Sequence, residues 1–301
     1  MPRGPGTPQS SCGWRVGPGP HPGGATGRGD RAGHPGETIT PVQTDQFDRL
    51  GAVTLDPPFS AAQIEAAAQA LDRHLPFAAP ADDQETRWSF TVYRVAKFDD
   101  YLDAELLALL QHPFLEEVAS RALRADSVEF FTSAILKTYP QPGAEFDFWE
   151  HVDIRYHAAD LEAVPRRMLC SLWIWLSDVE EDRGPLMYRP GSQRLIAAHM
   201  EAHPSQLDKS GVDELPDLDY APPVPLLVRS GQVSVFTTAT IHGASIYTGQ
   251  KPRRAMAVNF MPRGLEMRPT WSTARNLDGR DRYHRKLKAL FRPDRRHILH
   301  G

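Results

Sequence analysis

The 301-residue chain has only two cysteines, Cys12 and Cys170. Two thiols cannot staple a secreted disulfide scaffold, so a reducing, cytoplasmic setting is expected. Long hydrophobic runs are lacking too: no stretch of eighteen apolar residues occurs, and this excludes a helical membrane span. The first residues have no apolar core of the length a secretory signal needs, so export is not expected. No sign of charge dominates. Lys and Arg number 34 against 38 Asp and Glu, a formal net charge of -4, which argues against a dedicated nucleic-acid surface.

Large apolar residues are scarce at the start of the chain. Residues 1–40 hold eleven of the 22 glycines, and after Met1 their only large apolar side chains are Trp14, Val16 and Ile39. Such a segment cannot offset the entropy of ordering its backbone, so it is expected to be a disordered Gly/Pro-rich leader. Its Arg28-Gly29-Asp30 tripeptide, without a secretion route, reads as chance. One domain is expected to fill residues 41–301.

In that body the pattern becomes regular. Ser60 and Gln63 form a capping-box signature ahead of Ile64, Ala67, Ala68, Leu71 and Leu75 at helical spacing, and Pro76 ends the run. Residues 101–123 give two more amphipathic helices, divided near His112-Pro113. Beyond residue 127 the texture turns to short strands at 128–131, 134–139, 168–176, 186–188, 224–228, 233–237 and 255–260, with Gly and Pro clusters between them. Residues 280–290 are helical and polar again, and 197–220 reads as a polar insertion. Helices followed by about seven strands predict a sandwich or barrel buttressed by N-terminal helices.

Two familiar metal motifs are missing. His199 and His203 have the i, i+4 spacing of zinc hydrolases, but Met200 stands where their catalytic glutamate must be. There is also no H-x-H with a nearby Glu of the cupin type, which weakens a metalloenzyme without cosubstrate. The better constellation is His151-Val152-Asp153, which follows a strand-like 146–149. Residues i and i+2 of an extended chain share a face, so His151 and Asp153 can converge on one ion. His242, after the 233–237 strand, is the best third donor. Two histidines and a carboxylate on one face leave the other open, the ligand set of non-haem Fe(II) oxygenases. Eleven residues further, Arg253 opens a strand where a guanidinium can hold a carboxylate bidentately.

With these residues in place, the sequence resembles the phytanoyl-CoA dioxygenase family of Fe(II)/2-oxoglutarate oxygenases over roughly residues 54–262. The resemblance rests on HVD at 151–153, SLWIWLSDVEEDRGPLMYRPGSQR at 171–194 and SGQVSVFTTATIHGASIYTGQKPRRAMAVNF at 230–260. Its most specific pieces are Gly184-Pro185-Leu186 and Pro190-Gly191-Ser192. It implies a double-stranded β-helix, or jelly-roll, with His151, Asp153 and His242 as iron ligands. By spacing, Arg253 matches the 2-oxoglutarate arginine, with Arg254 the alternative. Trp173 matches a tryptophan lining the cosubstrate pocket, and Arg94 falls near a basic residue that touches 2-oxoglutarate, with Lys97 nearly as well placed.

The implied activity is oxidation, foremost hydroxylation, of an unactivated C–H bond in a small-molecule substrate. O2 and 2-oxoglutarate are consumed, and succinate and CO2 are released. Related halogenases replace the carboxylate at position 153 with a small residue, so Asp153 favours hydroxylation, desaturation or ring formation. A Gly-, Pro-, Ala- and Arg-rich composition suggests a bacterial setting in secondary metabolism. The sequence departs from the family pattern at Val152, Ala244 and Ile246-Tyr247, which bears on the pocket rather than the iron set. Segments 88–94, 154–157 and 272–276 are candidate linings of the substrate site. The basic run 282–296 reads as a solvated helix rather than a grip for an acidic tail such as coenzyme A. Without catalysis, the same fold would be a jelly-roll binding protein.

Overall fold

The computed structural model describes residues 38–75, 101–139, 149–207, 214–245, 249–266 and 280–300, together with the backbone of 87–88, 91–97 and 277–279. The leader up to residue 37 lies outside the described residues. Gly36–Gly301 is one unit by its internal contacts.

Helix α1 (Pro41–Leu50) begins at a capping box between Thr40 and Gln43, with Pro41 at its first position, where a missing N–H costs nothing. It ends on Gly51 in the left-handed region, φ 80°, and strand β1 (Ala52–Leu55) follows at once. Helix α2 (Ala61–His74) starts at the predicted Ser60–Gln63 capping box. Helices α3 (Ala104–Leu110) and α4 (Pro113–Leu123) divide at His112, whose Nδ1 accepts the Phe114 amide and caps α4.

Seven strands then form the larger sheet. They are β1, β2 (Arg87–Trp88), β3 (Thr91–Lys97), β4 (Val128–Thr138), β5 (Cys170–Trp175), β8 (Val233–Thr237) and β10 (Arg253–Pro262), ordered β1-β8-β5-β10-β4-β3-β2. The smaller sheet is β7 (Val224–Leu226), β6 (Leu186–Tyr188) and β9 (His242–Ala244). All these pairings are antiparallel. A bridge between His151 and His242 lays one more extended residue beside β9. Two facing antiparallel sheets flanked by helices make up the expected jelly-roll.

Strands β1, β4, β5, β8 and β10 of the larger sheet are buried on both faces, and alternation sorts their side chains. Val53, Leu55, Leu172, Ile174, Val233, Val235, Met256 and Val258 join the core formed with α1 to α4 and with α7 (Leu277–Leu290). Each contributes roughly 1.5–3 kcal/mol by burial. Their neighbours Ala52, Trp175, Phe236 and Ala255 point the other way, into a second core closed by Leu186, Tyr188 and Leu226 of the smaller sheet. The site lies on this second side.

Two expectations need correction. The stretch 197–220, read as a polar surface insertion, begins inside helix α6 (Ser192–Ala202), and its Ala197 and Met200 are buried, as is Ile196 just before it. The basic run at the end is not merely solvated: Tyr283, Leu287 and Phe291 are core residues. Buried Arg295 pairs with Glu116 at 2.7 Å and donates to the Gln111 carbonyl.

Candidate metal centre and cosubstrate pocket

His151 and His242 exchange both backbone hydrogen bonds, His151 N–H to the His242 carbonyl at 3.0 Å and the reverse at 2.9 Å. This narrow pair brings the two rings to a centroid separation of 4.4 Å. Two residues on from His151, Asp153 lies with Oδ1 3.8 Å from His151 Nε2 and Oδ2 3.8 Å from His242 Nε2. The three donor atoms all lie within 4.8 Å of one another, and among the described residues no other group of three His, Cys, Asp or Glu does this.

The ring tautomers follow from their partners. His242 Nδ1 lies 2.8 Å from the Thr240 carbonyl and His151 Nδ1 3.3 Å from that of Trp149. A carbonyl only accepts, so both Nδ1 atoms carry a proton, and in the neutral rings the Nε2 atoms nearest Asp153 are the ones left to bind a metal. That arrangement is what a divalent metal requires of two imidazoles, so the donor set fits iron. The Trp149 ring stacks on His151 at 4.3 Å and fixes its plane.

The backbone behind the donors is held as firmly. Asp153 and Ile154 both donate their amides to the Thr238 carbonyl at 3.0 Å. Val152 and Ile241, each beside a histidine in sequence, point away from the donors into a small core with Ile196 and Met200. Leu207, Leu215 and Tyr220 pack on it. The former insertion therefore backs the metal donors.

Arg253 and Arg254 are adjacent on β10, and the pleat sends them to opposite faces. Arg254 clasps Asp72 of α2 with Nε and Nη2 at 2.9 and 2.6 Å, and Lys137 Nζ reaches the same carboxylate at 2.5 Å. Burial alone would raise the Asp72 carboxyl, but the hydrogen bonds from Arg254 and Lys137 hold it below its ordinary value. Arg253 is 3% exposed on the inner face. It donates to the Gly184 carbonyl and, at 2.9 Å, to Thr138 Oγ1, and its guanidinium carbon lies 5.9 Å from the Trp175 ring centre. Trp175 and Phe236 belong to one apolar cluster, and Phe236 stands 6.1 Å from the His242 ring. Arg253 and the metal donors thus flank the same interior.

Trp173 is half-buried on that inner face, 5.6 Å from Trp175, with Nε1 donating to Ser171 Oγ at 3.1 Å. Sequence reasoning missed Trp175 and Thr138. The i, i+2 spacing from Trp173 was the available signal for the first, and none existed for the second.

Arg94 fares differently. Its side chain lies outside the described residues, but the register pairs position 94 with Lys137 and, across β4, with Arg254. Position 97 pairs with Ala134, in the row of Ala257.

Other candidate residues have these surroundings. Tyr156 is fully buried, its hydroxyl bonded to Thr238 Oγ1 and accepting the Leu169 amide, and burial pushes its hydroxyl well above the ordinary value. His157 starts helix α5 (Ala158–Glu162). His199 and His203 stack on each other at 4.0 Å, and His203 is exposed. Ser245, next to the departing Ala244, spends its hydroxyl on the Pro185 carbonyl. Residues 246–248 and 272–276 lie outside the described residues. A cavity of about 260 Å³ lined by Asp48, Arg166 and Gln193 contains none of the three donors.

The family model of phytanoyl-CoA dioxygenase (PhyH) matches residues 47–255, a span containing all three donors and both arginines. The chain belongs to the phytanoyl-CoA dioxygenase family. As a member it is a dioxygenase-type enzyme of the non-haem iron, 2-oxoglutarate-dependent class. The fold is similar to that of SnoN, the α-ketoglutarate-dependent epimerase of nogalamycin biosynthesis: TM-score 0.58, 18% identity, covering 76% of this chain and 85% of that one. SnoK, the carbocyclase of the same biosynthesis, gives 0.55 and 21%, with 76% and 87% covered. EctD from S. alaskensis, in its apoform, gives 0.51 and 19%, with 78% and 81% covered. Comparison with curated protein sequences gives no match. No helix among the described residues is long and apolar enough to cross a membrane.

Proposed function

We propose that this phytanoyl-CoA dioxygenase family member hydroxylates an unactivated C–H bond of a small molecule in bacterial secondary metabolism. His151, Asp153 and His242 are the iron ligands in this reading, and Arg253 anchors 2-oxoglutarate. The carrying observation is the donor set itself: two Nε2 atoms and a carboxylate within 4.8 Å, with both Nδ1 protons engaged by carbonyls. Bound iron supplies the coupled oxidation in which substrate C–H, O2 and 2-oxoglutarate become C–OH, succinate and CO2.

The chain's own residues do the rest. The buried Arg253 guanidinium offers a planar fork to a carboxylate, and the Trp175 and Phe236 rings keep water from the interior between it and the donors. Trp173 lines the same pocket. Two fold relatives named for nogalamycin biosynthesis support the secondary-metabolic setting. One of them, SnoN, is known in complex with Fe3+, α-ketoglutarate and nogalamycin RO.

The test is succinate formation from 2-oxoglutarate by purified protein with Fe(II) and O2. Asp153→Ala is expected to abolish it. Full activity in that variant would refute the assignment.

A further inference from the structure

Glu150 immediately precedes His151, and Arg189 immediately follows Tyr188, the residue paired with His242. Between them lies a bidentate ion pair: Arg189 Nε to Glu150 Oε2 at 2.5 Å and Nη2 to Oε1 at 2.7 Å. The third arm, Nη1, donates to the Ala221 carbonyl at 3.0 Å. The backbone amide of Arg189 donates to the Ile241 carbonyl at 3.0 Å, directly ahead of the second histidine. One residue therefore holds the segment before His242 through its backbone and the segment before His151 through its side chain.

The need for such a brace follows from the size of the histidine bridge. His151 and His242 are joined by an isolated bridge outside any longer ladder on the His151 side. Its two hydrogen bonds contribute little net free energy by themselves. After His151 the chain is fixed by Val152 and by the Thr238 carbonyl. Before His151, the described anchors are the Trp149 stack and the Glu150 carboxylate. A fork on a carboxylate fixes direction as well as distance, and the two side chains are only 22% and 27% exposed, so solvent screens them incompletely.

We propose that Arg189 and Glu150 are a positioning pair that sets the spacing of the two histidine rings and with it the affinity for the metal. The inference rests on the reading of His151, Asp153 and His242 as the metal ligands. Neither residue touches the metal; they act through the backbone of its ligands.

The test titrates Co(II) into metal-free full-length protein, follows its visible absorption, and measures the melting temperature of each variant. Glu150→Gln and Arg189→Met are each expected to weaken Co(II) binding about tenfold, the low end for groups that orient metal ligands. The double variant should be no weaker than the worse single one. Arg189→Lys, which keeps the charge but loses the fork, should fall between and serves if the methionine variant does not fold. A role in stability alone predicts lower melting temperatures with Co(II) affinity within twofold of wild type, and that result would overturn the proposal. His242→Ala separates the two readings. If it loses Co(II) while the pair variants keep wild-type affinity, only the pair is refuted. If it binds Co(II) like wild type, the metal assignment falls and the pair with it.

Discussion

Replacing Arg253 and Arg254 in turn by methionine separates two guanidiniums that share a strand but face opposite ways. Methionine keeps much of the aliphatic volume and removes the charge and all five donors. At position 253 this deletes a buried fork on the inner face, whose described neighbours include the Gly184 carbonyl and Thr138 hydroxyl. If that fork grips the distal carboxylate of 2-oxoglutarate, two charge-assisted hydrogen bonds vanish. Their joint loss is about 3 kcal/mol, on the order of a hundredfold in affinity. At position 254 the change instead strips Asp72 of its bidentate partner and leaves Lys137 at 2.5 Å. Asp72 is about a third exposed, so the discounted stability loss is only about 1 kcal/mol.

Steady-state succinate formation gives the KM for 2-oxoglutarate, and urea unfolding gives the stability. Arg253→Met should raise that KM about a hundredfold with kcat less affected, whereas Arg254→Met should leave KM within twofold and lower stability. The stability gap between wild type and Arg254→Met should also close on acidification. Because the folded Asp72 carboxyl lies below its ordinary value, its stabilisation is present above the unfolded pKa and fades as pH falls through the folded one. A large KM effect at 254 with none at 253 would refute the assignment of faces.

Gly51→Ala should destabilise by about 2–5 kcal/mol, combining the left-handed backbone with forced overpacking. An added Cβ would lie 2.1 Å from Thr240 Oγ1 and 2.7 Å from Gln193 Oε1. Since the Thr240 carbonyl orients His242, Co(II) affinity should drop as well; a stability change below about 1 kcal/mol in urea unfolding would show that the turn yields. Buried His284 has its pKa lowered from 6.5 to about 4 by burial. Its Nδ1 accepts the His300 amide, so Nε2 is the atom that donates to the Phe131 carbonyl. Unfolded chains take up the proton first, so stability should fall as pH drops from about 6.5 to 4, by up to about 3 kcal/mol. His284→Gln should flatten that slope in urea titrations at stepped pH, and an unchanged slope would assign the acid sensitivity elsewhere.

What could be read from the sequence depended on whether one face of an element meets solvent. Helix α4 declared itself through Phe114, Leu115, Val118, Ala122 and Leu123 against a polar opposite side. Strand β10 did not. It is buried on both faces over almost its whole length, so its apolar residues run together, period two is silent, and Arg253 could not be told from Arg254. Helix α6 failed for another reason: its N-cap Gly191 makes no side-chain cap bond, and among large apolar residues only Ile196 and Met200 are buried. A polar helix bracketed by glycine and proline looks like a loop. Strand β1 offered four residues, Ala52–Leu55, too few for alternation to register. His151 and Asp153 were legible because i, i+2 geometry is local, whereas Trp175 and Thr138 beside Arg253 are brought there by strand pairing alone.

The geometry of the donors also explains why so much of the chain serves three side chains. His151, Asp153 and His242 come from two segments about ninety residues apart in sequence, and a metal accepts little error in their placement. Packing on the reverse side supplies that accuracy: Val152 and Ile241 interdigitate with Ile196 and Met200. The two carbonyls on the imidazole Nδ1 atoms fix ring rotation, a freedom packing does not control. The stretch read as a polar insertion therefore carries a testable role. Met200→Ala, a truncation far from any donor atom in sequence, should cost about 2–5 kcal/mol and should loosen the metal donors more than a truncation of equal size at Leu109 in α3. Equal Co(II) affinities in the two variants would mean that the donors keep their places without the packing behind them.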